Sequence, residues 1–216
     1  MSSLAQRLRT QTWPAHRRVE GTAFVRAMLR GELNQPGYAL LLASLLPVYA
    51  ALEAALRRHA GTPVVAAIYH PALEREAALR DDLAALQGDE RAESLAPQPA
   101  ALDYAKHLFA LAESSPGLLV AHAYVRYLGD LSGGQAVQRV VARSLQLEGR
   151  RGTRFYDFGD EAQLAALAAH LRGGLDRIEA DSATLDAIVT EAVAAFARHE
   201  RLFEELEAAR AALTTA

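Results

Sequence analysis

The stretch Ala121–Gln135, AHAYVRYLGDLSGGQ, decides how this chain is read. Apolar residues keep helical spacing from Leu118 to Leu147 with no proline between them, so the region predicts one long helix. Into that helix the sequence sets Gly129, Gly133 and Gly134, each costing about 1 kcal/mol relative to alanine. At about 100° per residue, Gly129 and Gly133 share a side with Ser132 and Ala136, a stripe almost bare of side chains that Arg126 and Asp130 border. Bare backbone of this kind serves where another body must come close. From spacing alone that body is either a flat ligand or a second helix, and the two readings stand level.

Composition bounds the rest. With 216 residues, 51% of them hydrophobic, the chain is long enough for one buried core and predicts a single domain over residues 1–216. A net charge of -3 gives no basic field, which argues against nucleic acid as the principal partner. The absence of cysteine excludes disulfides and thiolate ligation, leaving imidazole as the softest metal ligand. The start, MSSLAQRLRTQTW, lacks the apolar core of a signal peptide, and no apolar run reads as long enough to cross a bilayer, so the expectation is a cytoplasmic protein with no membrane partner.

Working outward, the sequence predicts only helices and loops. A first helical region runs to about Arg30 with an interruption near Trp13-Pro14; a second, after Gln35-Pro36-Gly37, reaches His59 with a kink at Pro47. Pro71 opens an amphipathic helix through PALEREAALRDDLAAL. Gln87 to Pro99 is a connector, and a helix follows to about Glu113. Gly149 to Gly159 reads as a loop, and helices from Asp160 and about Ser182 finish the chain, with Asp181 or Ser182 as the last N-cap. The fold class is all-α.

Of the seven histidines, His59, His107, His122, His170 and His199 read as surface or core-edge side chains, and His70 belongs to a helix start before Pro71. His16 differs, because Glu20 lies one turn on and on the same face, where its carboxylate supports the imidazole directly or through water. On a solvated helix such a pair is commonplace.

The run AHAYVRYLGDLSGGQ resembles the distal-helix signature of the haem oxygenases. Trp13–Glu20 (WPAHRRVE) is similar to that family's proximal-histidine helix, Tyr38–Glu53 to its second helix, and Phe155–Phe158 with Phe196–Leu206 to its C-terminal portion. The resemblance implies a single-domain helical fold with haem b held between a proximal helix and a glycine-kinked distal helix. It implies an enzyme that uses dioxygen and externally supplied electrons to cleave haem, its own prosthetic group, to biliverdin, carbon monoxide and ferrous iron.

By the same resemblance His16 is the axial iron ligand with Glu20 beside it, Gly129 and Gly133 form the distal face, and Asp130 organises water for proton delivery with Tyr49 and Arg126. Tyr124 lies at the haem edge, Arg9 and Arg172 pair with the propionates, and Phe196 and Phe203 contact the haem. The last two also sit at the i, i+7 spacing that core packing alone would give. The chain departs from its animal relatives at Trp13 and Ala168, which are lysines there, and at Pro14; Arg17, Arg18 or Arg177 would then rebuild the propionate clamp.

The chain carries no flavin, nicotinamide or iron-sulfur fingerprint. Electrons would come from a separate protein (ferredoxin, flavodoxin or a reductase), and a downstream acceptor would take the bilin. Two rivals stay open: a haem carrier without turnover, and a helical bundle whose glycines admit another helix.

Overall fold

The structure is a computed structural model that describes residues 3–88, 92 and 95–214. Among them every regular element is helical, which fixes the all-α class. The α-helices are α1 (Leu4–Glu20), α2 (Ala23–Arg30), α3 (Gln35–Arg58), α4 (Pro63–Ala66), α5 (Glu76–Gln87), α6 (Pro99–Ser114), α7 (Leu119–Ser144), α8 (Glu161–Asp176) and α9 (Ser182–Thr214). Short 3-10 turns at Pro71–Leu73, Pro116–Leu118 and Arg154–Tyr156 join them. Part of the expected connector from Gln87 to Pro99 lies outside the described residues.

Local chemistry sets most helix ends. Ser3 caps α1 by accepting from the Gln6 amide, and Asn34 caps α3 by accepting from the Gly37 amide at 2.9 Å. Asp160 and Gln163 form a capping box on α8, and the Asp181 carboxylate accepts from the Thr184 amide at 2.7 Å at the start of α9. Of the two expected caps for the last helix, Asp181 is therefore the one that bonds.

The chain corrects the sequence reading in three places. First, α1 runs unbroken through Pro14 to Glu20, and the break comes at Gly21-Thr22 instead. There the Thr22 side chain caps a new helix, and a cap outcompetes a proline that costs the helix one hydrogen bond. Second, Pro71 opens only a 3-10 turn, because the buried Glu53 carboxylate accepts from the amides of Arg75 (2.5 Å) and Glu76, which starts α5 later. Third, α3 is by length and composition apolar enough to cross a membrane, contrary to the expectation. Its most apolar 18-residue window is 78% buried inside the fold, however, as befits a core helix.

That helix organises the core. It packs on α5 and α6, while α9 packs on α1 and α7 and so brings the N-terminal helix beside the glycine-bearing one. The buried apolar residues form one continuous cluster that includes Tyr38, Leu42, Tyr49, Tyr104, Tyr127 and Phe155.

Beyond α7 the chain turns back under guidance from α5. Asp82, fully buried, accepts from the amides of Arg154 and Phe155 at 2.8 Å each, and burial pushes its carboxyl up to about 6. Tyr38 donates to the Gly152 carbonyl at 3.0 Å, and Gln135 donates to the Tyr156 carbonyl at 2.8 Å. Phe155 and Tyr156 are thereby held against α7, on the side that carries Asp130.

Candidate active site

The N-terminal helix and the glycine-bearing helix line one cleft. Val19 and Glu20 of α1, Val25 and Met28 of α2, and Gly129, Asp130, Gly133 and Val137 of α7 share its wall with Phe203 of α9. A Cβ added at Gly129 or Gly133 would meet no protein atom within 4 Å, so no helix fills that stripe among the described residues. This removes the packing explanation for these two glycines. Gly134 behaves differently, since a Cβ there would stand 3.3 Å from the Tyr156 ring.

The cleft is about 170 Å³, below the ~300–1,000 Å³ usual for ligand pockets. A larger groove of about 690 Å³ runs between α3 and α5, with Arg80 and Asp81 as its charged groups and no glycine in its wall, whereas the smaller cleft is lined by Glu20, Arg126, Asp130 and three glycines. Chemistry, not size, favours the smaller site.

His16 lies on α1 with its Nδ1 buried and without a hydrogen-bond partner, 3.6 Å from the Glu20 carboxylate. Glu20 also accepts from Arg17 at 3.2 Å. Two aromatic rings fix the imidazole: Trp13 stacks on it at 5.5 Å and Phe196 meets it edge-on at 5.7 Å. Trp13 is 55% exposed, and its indole covers one face of the imidazole. Phe203 stacks on Phe24 at 5.9 Å and also reaches the cleft wall, so core packing and cleft lining are both served.

On the opposite wall, Asp130 is 7% exposed and accepts from the Tyr49 hydroxyl and from Arg126 Nη2 at 3.0 Å. Arg126 Nε in turn donates to the Tyr49 oxygen at 2.8 Å, which closes a three-membered ring of hydrogen bonds. Burial raises the Asp130 carboxyl above its ordinary value, against the pull of Arg126, the Tyr49 hydrogen bond and Arg75. Burial also pushes the Tyr49 phenol well up. The pairing of Arg126 with Asp130 that spacing suggests is real, but it is buried rather than a solvated surface contact.

Tyr124 stands at the edge of the same region, with its hydroxyl 3.4 Å from Thr12 Oγ1. Burial raises this phenol, while the charges of Arg9 and Arg172 act to lower it, which places both guanidinium groups near it. Arg9 and Arg172 are exposed and have no carboxylate partner among the described residues, whereas Arg17 pairs with Glu20 and Arg18 with Glu200.

Sequence reasoning missed several groups. Arg75 is the plainest: its guanidinium lies 4.0 Å from the Phe158 ring centre, donates to the Asp157 carbonyl at 2.6 Å, and acts electrostatically on Asp130. Nothing in the local spacing around Glu74 and Glu76 marked it, because its partners Asp157, Phe158 and Asp130 come from distant parts of the chain. The reading of His122 and His199 as surface or core-edge groups is also corrected, while half-buried His107 does lie at the core edge. His122 and His199 are fully buried, and His107 and His122 share the Glu191 carboxylate at 2.6 and 3.0 Å.

Comparison with known proteins agrees with this geometry. The family model described as "Heme oxygenase" matches residues 2–205. Heme oxygenase 1 of Nostoc sp. is 37% identical, with 95% of this chain and 87% of that protein covered. The human heme oxygenase 1 is 36% identical over 94% of this chain and 72% of its own length. The crystal structure of heme oxygenase-2 from Synechocystis sp. in complex with heme and NO superposes with a TM-score of 0.93 at 37% identity, covering 98% of this chain and 88% of that one. With the helix that carries His16 and the bare Gly129/Gly133 stripe lining one cleft, and with relatives of this similarity over nearly its whole length, the chain belongs to the haem oxygenase family.

Proposed function

We propose that this protein cleaves haem oxidatively to biliverdin, carbon monoxide and ferrous iron, using dioxygen and electrons from another protein. The observation that carries the reading is the open stripe at Gly129 and Gly133 beside the buried Asp130, on the wall opposite the helix of His16. A haem carrier needs only the ligand and the cleft. A carboxylate held by Tyr49 and Arg126 beside bare backbone is the added equipment of an enzyme that must meter protons.

The residues suit haem b. His16 would ligate the iron, with Glu20 steadying the imidazole and Trp13 and Phe196 fixing its plane. Gly129 and Gly133 would take the face of the ring, and Phe203 its apolar flank. Tyr124, Arg9 and Arg172 would receive the propionates at the mouth, since the two arginines stand near that phenol and lack carboxylate partners. When bound, haem supplies the iron that activates dioxygen and the carbon that is oxidised. Asp130 would hold ordered water on the distal side, with Tyr49 and Arg126 fixing its orientation.

Electron supply would come from an acidic ferredoxin, flavodoxin or reductase docking on the cationic rim of the exposed Arg9, Arg17, Arg18 and Arg172. We assign the protein to the cytoplasm, with a bilin-accepting protein downstream. The test is direct: the protein is mixed with haem, a reductant and dioxygen, loss of the Soret band is followed, and the pigment is identified. Biliverdin is expected. Stable haem binding without pigment would leave a carrier, and no haem binding at one equivalent would overturn the reading altogether.

A further inference from the structure

Away from the cleft, three helices bring two imidazoles and a carboxylate to one point. His107 of α6, His122 of α7 and Glu191 of α9 place one ligand atom each within 4.8 Å of the other two. Both imidazoles place Nε2 on the same Glu191 oxygen, at 2.6 and 3.0 Å, hydrogen bonds that an ion entering among the three atoms would replace. We propose that His107, His122 and Glu191 form a binding site for a divalent first-row transition-metal ion, distinct from the His16 cleft.

Donor chemistry and surroundings support this. Two neutral imidazole nitrogens and one carboxylate are a known set for zinc and for ferrous iron, with further positions left for water.

The His122 Nδ1 on the far side is 2.8 Å from the Tyr104 hydroxyl, the outer partner that orients a ligating histidine. On metal binding each imidazole would carry its proton on Nδ1, and Tyr104 would accept from His122. Side-chain exposure of 25% at His107 and 15% at Glu191, against none at His122, leaves one side open for an ion and its waters to enter. The charge of Arg198, which lies over the Tyr104 ring at 5.9 Å, opposes a cation; the Glu191 carboxylate offsets it.

The test uses the whole protein, free of haem and stripped of metal with a chelator, titrated with Zn²⁺ by calorimetry and with Co²⁺ by visible absorption. One equivalent of Zn²⁺ should bind, and Co²⁺ should develop the d–d bands of a low-coordinate nitrogen and oxygen site. His107→Gln, which keeps a hydrogen bond to Glu191 at a partly exposed position, and Glu191→Gln should each weaken binding by at least about ten-fold, and Tyr104→Phe by less. His70 and His170, whose rings lie 5.2 Å apart, supply the control. Binding that survives His107→Gln, or that disappears in His170→Ala instead, would overturn the assignment, as would no saturable binding up to millimolar Zn²⁺. Should Glu191→Gln fail to fold, His107→Gln alone decides the matter.

Discussion

The Tyr49 hydroxyl donates to the Asp130 carboxylate across the interface of α3 and α7, and Arg126 bonds both. A carboxylate so placed is oriented but not exposed, and its carboxyl is raised by burial. Asp130→Ala should therefore bind haem close to normally yet lose most biliverdin formation, on the order of the 10²-fold that general acid-base groups supply. Asp130→Asn keeps the shape without the charge and should fall between the two. Tyr49→Phe should lower the rate less, because Arg126 still holds the carboxylate. Pigment yield per haem checks all three, and normal biliverdin formation by Asp130→Ala would end the proton-delivery role.

His16 has a different signature. Its imidazole is the histidine on the cleft helix, packed between Trp13 and Phe196. His16→Ala should retain some haem through the apolar walls and the arginines but lose turnover, and the ferrous carbon monoxide spectrum should shift as a weaker ligand replaces imidazole. An unchanged spectrum would mean that another group is the ligand.

The glycines separate stability from binding. Gly129→Ala meets open space, so the haem-free protein should gain up to about 1 kcal/mol, read as a higher denaturation midpoint. Gly133→Leu should fold equally well and bind haem poorly, because its side chain occupies the cleft. Gly134→Val should instead lower stability, since even a Cβ there crowds the Tyr156 ring. If Gly133→Leu bound haem with unchanged affinity, the stripe would not be the distal face.

Acid sensitivity should trace in part to His199. Both of its nitrogens are buried without a hydrogen-bond partner, between Tyr104 and Phe203, and burial holds its pKa well below the ordinary histidine value of about 6.5. The folded protein therefore binds fewer protons at His199 than the unfolded chain does, so its contribution is intact above pH ~6.5 and is lost as the pH falls below that, by up to about 1.4 kcal/mol per pH unit. His199→Phe should be at least as stable at pH 7 and should lose stability less steeply between pH 7 and 5. Parallel pH profiles for the two proteins would contradict this.

Much of the fold and part of the candidate site were legible in the sequence. The 3.6-residue spacing, the helix start at Asp160, the cap at Asp181 and the lack of alternating patterns determined an all-α chain, because those signals act within one or two turns. The glycine stripe was legible for the same reason: Gly129 and Gly133 share a face by helical geometry alone. What stood opposite them was not, because an open cleft and a packed helix impose the same sequence demand. Only the tertiary arrangement, in which a Cβ added at either glycine would meet no packed neighbour within 4 Å, decided between them. The burial of the Arg126–Asp130 pair and the meeting of His107, His122 and Glu191 were likewise settled by contacts between distant helices. Burial and electrostatic partnership are properties of what packs from elsewhere in the chain, and no local spacing encodes them.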